Sequence, residues 1–285
     1  ISQSRGAIKV LVDCTTSEDI PNMYKNAFIS DIHVIAANKK GVSGSMDLYQ
    51  EIMNYSKSTK KSFHYETTAG AGLPFIKTLQ DLNMTGDRVK EIEGVFSGTL
   101  SYLFNNYDGE LEFSKIVSDA RAKGFTEPDP RDDLSGMDVA RKLVILAREI
   151  NLSIGIDDVS VESLVPEELK SMSVDDYLDR LHEFDEAMNL KLVEAKKENK
   201  VLRYIARLDS TGKASVKLVA LSMDHPFAEL KGSENVIKYM TERYSDYPLV
   251  HKGPGAGAEV TAAGIFSDLL MVVQHIDRFN PLISE

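Results

Sequence analysis

The sequence predicts an α/β protein, and three observations carry that reading. Two short, β-branched apolar runs, Ala7 to Val12 (AIKVLV) and His33 to Ala37 (HVIAA), flank one stretch with helix-start signals, as in a parallel βαβ unit. Helical periodicity and strand-like runs then alternate as far as Phe96. Further on, Val201 to Leu208 and Ala214 to Leu221 alternate about Asp209-Ser210-Thr211-Gly212, a hairpin signal.

At 285 residues the chain is long enough for two modest domains, or for one with an inserted subdomain. Its 42% hydrophobic and 27% charged content is that of a globular protein. A net charge of −11 with no lysine or arginine cluster argues against nucleic acid or an anionic membrane as partner, because both would be repelled. The single cysteine, Cys14, rules out an internal disulfide and a multi-cysteine metal site, and fits a reducing compartment. No apolar run approaches the roughly 20 residues of a spanning helix. The opening ISQSRGAIKVLV is no signal peptide, since its apolar part is short and runs into Asp13. Beginning at Ile1 without a methionine, the chain reads as a piece of something longer.

In order, the Ala7 to Val12 strand is expected to be covered on both faces and to end in Asp13-Cys14-Thr15-Thr16-Ser17. Ser17 and Pro21 suggest a helix start before the His33 strand. Ligands of open α/β sheets bind beyond the carboxyl ends of strands, which puts Thr15, Thr16 and the Asn38-Lys39-Lys40-Gly41 run at such an edge. A lysine after a strand is more often solvated than catalytic. Ser45 to Tyr55 reads as a helix and Ser62 to Glu66 as a strand. A glycine-rich connection, Thr67 to Pro74, leads into a helix from Phe75 to Leu82. It suits a phosphate, a hard cation held by carbonyls, or simply a tight turn, and it lacks the G-x-G-x-x-G spacing of a dinucleotide fingerprint.

Arg88 to Phe96 reads as a strand, and Ser97-Gly98-Thr99 opens a helix through Asn105 whose start suits an anionic group or plain capping. Phe113, Ile116, Val117 and Ala120 mark an amphipathic helix closed by Gly124. The charged stretch Val174 to Lys200 is helical with a solvated face. Asn235 to Tyr239 and Tyr247 to Val250 add strands, and after KGPGAG a small-residue helix runs from Ala258 to Ile276 and packs on the first βαβ unit.

Everything is organised around Gly124 to Lys142, GFTEPDPRDDLSGMDVARK. Pro128 and Pro130 stiffen an extended loop carrying Glu127, Asp129, Asp132 and Asp133. Ser135 is the expected N-cap of the next helix, with Asp138 three residues on. Asp138 and Lys142, four apart, share one face. One amine and several carboxylates at the mouth of a mostly buried helix can donate or accept a proton; a solvated loop followed by an ordinary ion pair accounts for the same residues.

Five stretches in this order, Asn38-Lys39-Lys40, HYETTAGAGLP, EGVFSGTLSYLFNN, GFTEPDPRDDLSGMDVARK and KGPGAGAEVTAAG, resemble homoserine dehydrogenase, above all the dehydrogenase half of the bifunctional aspartokinase–homoserine dehydrogenases. The resemblance implies NAD or NADP-dependent reduction of aspartate semialdehyde to homoserine. It makes Lys142 the catalytic lysine and Lys39 a second active-site lysine. Glu127 and Asp138 hold the substrate amino group or order a proton-transferring water, with Asp133 and Thr99 as further substrate contacts. Main-chain carbonyls of Glu66, Ala69, Ala71 and Leu73 hold a monovalent cation, usually sodium, while Thr15, Thr16, Lys39, Gly257 and Glu259 lie near the cofactor. Phe125 stands where some relatives have tyrosine, so one side-chain hydrogen bond is lost.

The implied architecture is a partial Rossmann-type nucleotide-binding domain, 1–63 with 258–285, with an inserted α+β region comprising a catalytic part (76–203) and a dimerisation part (64–75 and 204–257). A homodimer, a cytoplasmic or plastid-stroma location and a fused aspartokinase in the parent protein follow from the same likeness. Family members begin with a glycine-rich pyrophosphate loop that Ile1 to Arg5 do not replace, so weak NAD(P) binding by this chain is expected. A non-catalytic assembly module and another amino-acid semialdehyde dehydrogenase are the alternatives.

Overall fold

The computed structural model describes residues 8–279. Residues 1–7, with Ala7 and the Ile1 to Arg5 opening, and 280–285 lie outside the described residues. β1 (Val10–Asp13) passes through a 3-10 turn, Ile20–Met23, to α1 (Tyr24–Ile29) and β2 (His33–Ala36). α2 (Lys40–Ser43), α3 (Met46–Thr59) and β3 (Phe63–His64) complete a parallel sheet in the order β1-β2-β3. Ser45 caps α3 by accepting from Leu48 N at 3.2 Å. β2 is buried along its length, whereas β1 is the edge, with Val12 42% exposed. The expectation of a first strand covered on both faces is therefore corrected: among the described residues β1 pairs only with β2, and an edge strand has less to pack against.

A 3-10 turn, Glu66–Thr68, stands where the strand Ser62 to Glu66 was expected to end. Glu66 leaves the ladder because its carboxylate accepts from Ile76 N and Lys77 N, both at 2.8 Å, in the first turn of α4 (Phe75–Met84). β4 (Val89–Val95), α5 (Gly98–Asn106) and α6 (Phe113–Ala122) follow. The stretch read as an extended loop contains a short helix, α7 (Pro130–Leu134), because Asp129 caps it by accepting from Arg131 N at 3.0 Å and Pro130 is preorganised for the first helical position. Ser135 therefore ends α7, and Gly136 precedes α8 (Met137–Glu149) with φ +74°, a left-handed turn that glycine makes without strain.

β5 (Val159–Val161) is followed by α9 (Val174–Arg180) and α10 (Asp185–Lys197), split by a 3-10 turn at Leu181–Phe184. The hairpin is β6 (Lys200–Asp209) and β7 (Ala214–Ser222), then β8 (Glu234–Thr241), β9 (Leu249–Pro254) and α11 (Ala258–Phe279). These strands form a six-stranded sheet, β5-β7-β6-β4-β8-β9, antiparallel except for β5–β7. α8 lies against β5, β6 and β7 with Val139, Leu143, Val144 and Leu146 buried, each worth about 1.5–3 kcal/mol. The other face carries a small core of Val95, Ile205, Leu221 and Val236 under Phe227 and Leu230. α11 packs on β2 and on the Glu66–Thr68 turn, so the last helix returns to the first sheet.

Candidate active site

The two elements that open this site are helices whose starts are set by local chemistry. Asp138 occupies the first turn of α8, where the positive helix end favours a carboxylate, and Lys142 lies one turn further on. Lys142 is only 9% exposed, and its Nζ donates to Phe96 O at 2.7 Å and pairs with Asp138 Oδ2 at 2.8 Å. Lys39, at the start of α2, brings its Nζ to 3.5 Å from Asp138 Oδ1. One carboxylate thus bridges two amines from different helices. Loss of solvent pushes the Asp138 carboxyl up, but the Lys142 and Lys39 ammonium groups overcome this and hold it well below the usual range. Burial pushes Lys39 below its ordinary value; Asp138 opposes the shift and Lys142 adds to it.

Ser97 caps α5 by accepting from Leu100 N at 3.1 Å, which leaves Thr99 in the first turn. The Thr99 hydroxyl lies 2.8 Å from Asp133 Oδ1 and 2.7 Å from Phe125 O, with a single proton to share between them. Asp133 also accepts from Glu127 N at 2.8 Å. Burial raises the Asp133 carboxyl despite these two donors, and the Asp138 charge adds to the rise. The Glu127 side chain is exposed; its backbone, not its carboxylate, is what the structure ties to Asp133. Arg131 braces the loop, forking onto Asp129 and donating to the carbonyls of Leu169, Lys170 and Met172.

At the end of β1, Asp13 accepts from Thr15 N at 2.8 Å, from Thr15 Oγ1 at 2.7 Å, from Tyr24 Oη at 2.5 Å and from Asn38 Nδ2 at 3.0 Å. These bonds and the donors' proximity outweigh the cost of burial and keep Asp13 ionised. Thr15 and Thr16 are exposed above this network. Asn38 Oδ1 accepts from Lys40 N at 3.0 Å and so shapes the turn that presents Lys39. Gly257 has φ +124° at the start of α11, where Glu259 is exposed.

The carbonyls expected from the resemblance to hold a cation lie in one glycine-rich turn. The Glu66 carbonyl accepts from Ala69 N at 3.3 Å and that of Leu73 from Phe75 N at 2.8 Å, whereas those of Ala69 and Ala71 are taken up by no hydrogen bond of the turn. Ala71, at φ +54°, turns its carbonyl toward Gly264 of α11. Among the described residues no group of three His, Cys, Asp or Glu side chains stands ready to hold a metal. The Phe96 carbonyl and the buried Asp268, which accepts from Glu66 N at 3.2 Å, were not singled out from sequence.

Residues 74–270 match the family described as homoserine dehydrogenase, and residues 2–66 match its NAD binding domain. The bifunctional aspartokinase/homoserine dehydrogenase 1 of Zea mays, named as chloroplastic, is 48% identical over 94% of this chain, which spans 29% of that relative's length. The homoserine dehydrogenase of Paracoccidioides brasiliensis is 42% identical over 94% of this chain and 75% of its own. A Candida auris protein of unknown function has a crystal structure that superposes with a TM-score of 0.90 at 40% identity, over 94% of this chain and 76% of that one. With the family match covering more than half of its residues and a 42% identical homoserine dehydrogenase matched over 75% of its length, the chain belongs to the homoserine dehydrogenase family.

Proposed function

We propose that this chain catalyses the NAD(P)H-dependent reduction of L-aspartate 4-semialdehyde to L-homoserine. The observation that carries the reading is Asp138 held between the Lys142 and Lys39 amines beside the α5 start. A bound nicotinamide supplies the hydride. Reduction of the aldehyde carbon leaves an alkoxide that needs a proton, and an ammonium within hydrogen-bond reach both stabilises that charge and delivers the proton. Lys142 is the donor in this reading, because Phe96 O and Asp138 fix its amine in one place. Asp138 stays ionised, holds both ammonium groups and orders the water that returns a proton to Lys142. Glu127, Asp133 and Thr99 take the amino-acid end of the substrate by charge-assisted hydrogen bonds.

Thr15, Thr16, Gly257 and Glu259 border the nicotinamide side in the same reading. Sodium is the cation for the Glu66, Ala69, Ala71 and Leu73 carbonyls, a fit supported by the two carbonyls the turn leaves unused. The reading extends to a homodimer formed through 64–75 and 204–257, to a fused kinase in a parent protein, as the bifunctional relatives suggest, and to a cytoplasmic or plastid-stroma location. It places the enzyme in threonine and methionine biosynthesis.

The test is the loss of reduced-nicotinamide absorbance with aspartate semialdehyde, for the wild type and for Lys142→Ala shown to be folded by circular dichroism. Turnover that the substitution abolishes supports the proposal. Turnover that survives it sinks the assignment of Lys142, and no turnover by the folded wild type sinks the function.

A further inference from the structure

Arg148 lies in the last turn of α8 and is 4% exposed, with no carboxylate at ion-pair distance among the described residues. An arginine there would ordinarily serve its own helix's terminal carbonyls. Its fork instead leaves the helix: Nη1 donates to Val42 O at 2.6 Å, and Nη2 donates to Gly44 O at 2.7 Å and Ile154 O at 3.4 Å. The guanidinium also lies over the Tyr49 ring of α3, 5.0 Å from its centroid. Stability alone gives little reason for a cation at this place, because well-packed apolar residues of similar volume usually replace buried charges without loss.

What the fork grips explains it. α2 is four residues long, far too short to hold itself as a helix. Lys39 is its first flanking residue, and Val42 and Gly44 lie at its other end. α8 is one rigid rod that carries Asp138, Lys142 and Arg148, the last two six positions, about 9 Å, apart. The Lys39–Asp138 contact is 3.5 Å against 2.8 Å for Lys142–Asp138, so slack in α2 breaks the Lys39 contact first.

We infer that Arg148 is a positioning residue: it bolts the one-turn helix that Lys39 precedes to the helix that carries Asp138 and Lys142, and so sets the separation of the two lysines across the carboxylate. The inference rests on the proposed role of these three groups in proton transfer. It concerns geometry, however, and has a readout that does not need turnover.

Arg148→Lys keeps the charge but reaches at most one of the carbonyls. Arg148→Ala empties a slot that free guanidinium can fill. For both, kcat falls roughly tenfold to hundredfold, as for about an ångström of misplacement, while KM for the semialdehyde changes little because Thr99 and Asp133 lie on other elements. Millimolar guanidinium chloride, compared with sodium chloride at equal ionic strength, restores kcat in Arg148→Ala. Amide hydrogen exchange at Val42, Ser43 and Gly44 accelerates in Arg148→Lys while the core of α8 stays protected. Unchanged exchange at those three amides overturns the inference whether or not the wild type turns over. So does a folded Arg148→Lys with wild-type kcat, or a kcat loss in Arg148→Ala that guanidinium leaves untouched.

Discussion

Replacing Asp138 by Asn removes the one negative charge that two amines share and changes almost no volume. The carboxylate is 2.8 Å from Lys142 Nζ and 3.5 Å from Lys39 Nζ. A pair 3.5 Å apart is worth about 1 kcal/mol in water and about 5 kcal/mol at an effective dielectric constant of 20. The Asp138 side chain is 46% exposed, so solvent screening puts each pair near the lower figure. Lys142 is buried and keeps Phe96 O and an amide oxygen as partners, so the cost in stability is about 1–3 kcal/mol, below the 5–15 kcal/mol of a typical domain. The variant therefore folds.

Its chemistry suffers far more, because disturbing positioned general acid–base catalysis typically costs about 10²–10⁴-fold in kcat. The pH profile adds a second signature. Burial and Lys142 already depress the Lys39 pKa and Asp138 alone counters them strongly, so its removal depresses Lys39 further. The alkaline limb of kcat, where a protonated amine is lost, then moves to lower pH. Steady-state reduction of aspartate semialdehyde, followed by nicotinamide absorbance from mildly acidic to alkaline pH, measures both effects. A folded Asp138→Asn with kcat within twofold of wild type and an unmoved alkaline limb would refute the argument.

Glu93, with a fully buried side chain in β4, pairs with Arg207 and Lys238. Burial opposes its ionisation, but these partners win and hold its pKa below the ordinary 4.5. The stability it contributes is therefore complete above pH 4.5 and is lost as pH falls through its folded-state value. Glu93→Gln should lower unfolding free energy in urea by about 3 kcal/mol at neutral pH, and less in acid. An added Cβ at Gly255 would run into the buried Asn235 side chain, so Gly255→Ala should lower the unfolding free energy by about 1–3 kcal/mol; calorimetry showing no change would contradict the tight packing of these strands. Tyr24→Phe leaves buried Asp13 one donor short and should destabilise by about 1–3 kcal/mol, most visibly as faster amide exchange at Thr15 and Lys40.

The sequence by itself determined what depends on near neighbours. Ser45 and Ser97 announce the starts of α3 and α5, the turn at Asp209 to Gly212 joins β6 and β7, and the 3.6-residue rhythm of α8 puts Asp138 and Lys142 on one face. Five ordered motifs were also enough to point to the family. Proline spacing misled the reading at Pro130, where Asp129 turns an expected loop into α7, and an apolar run did not reveal that β1 is an edge.

Only the tertiary structure decided which distant groups meet. Lys39 flanks α2 and Asp138 lies in α8, far apart in the chain, and their contact depends on how α2 seats against α8. The Phe96 carbonyl that holds Lys142 and the Arg148 fork that holds α2 carry no local signature, because a carbonyl is common to every residue and an arginine in an apolar stripe does not name its acceptors. Periodicity encodes which face of an element is buried, and pairwise contacts across elements are settled by packing the whole chain at once.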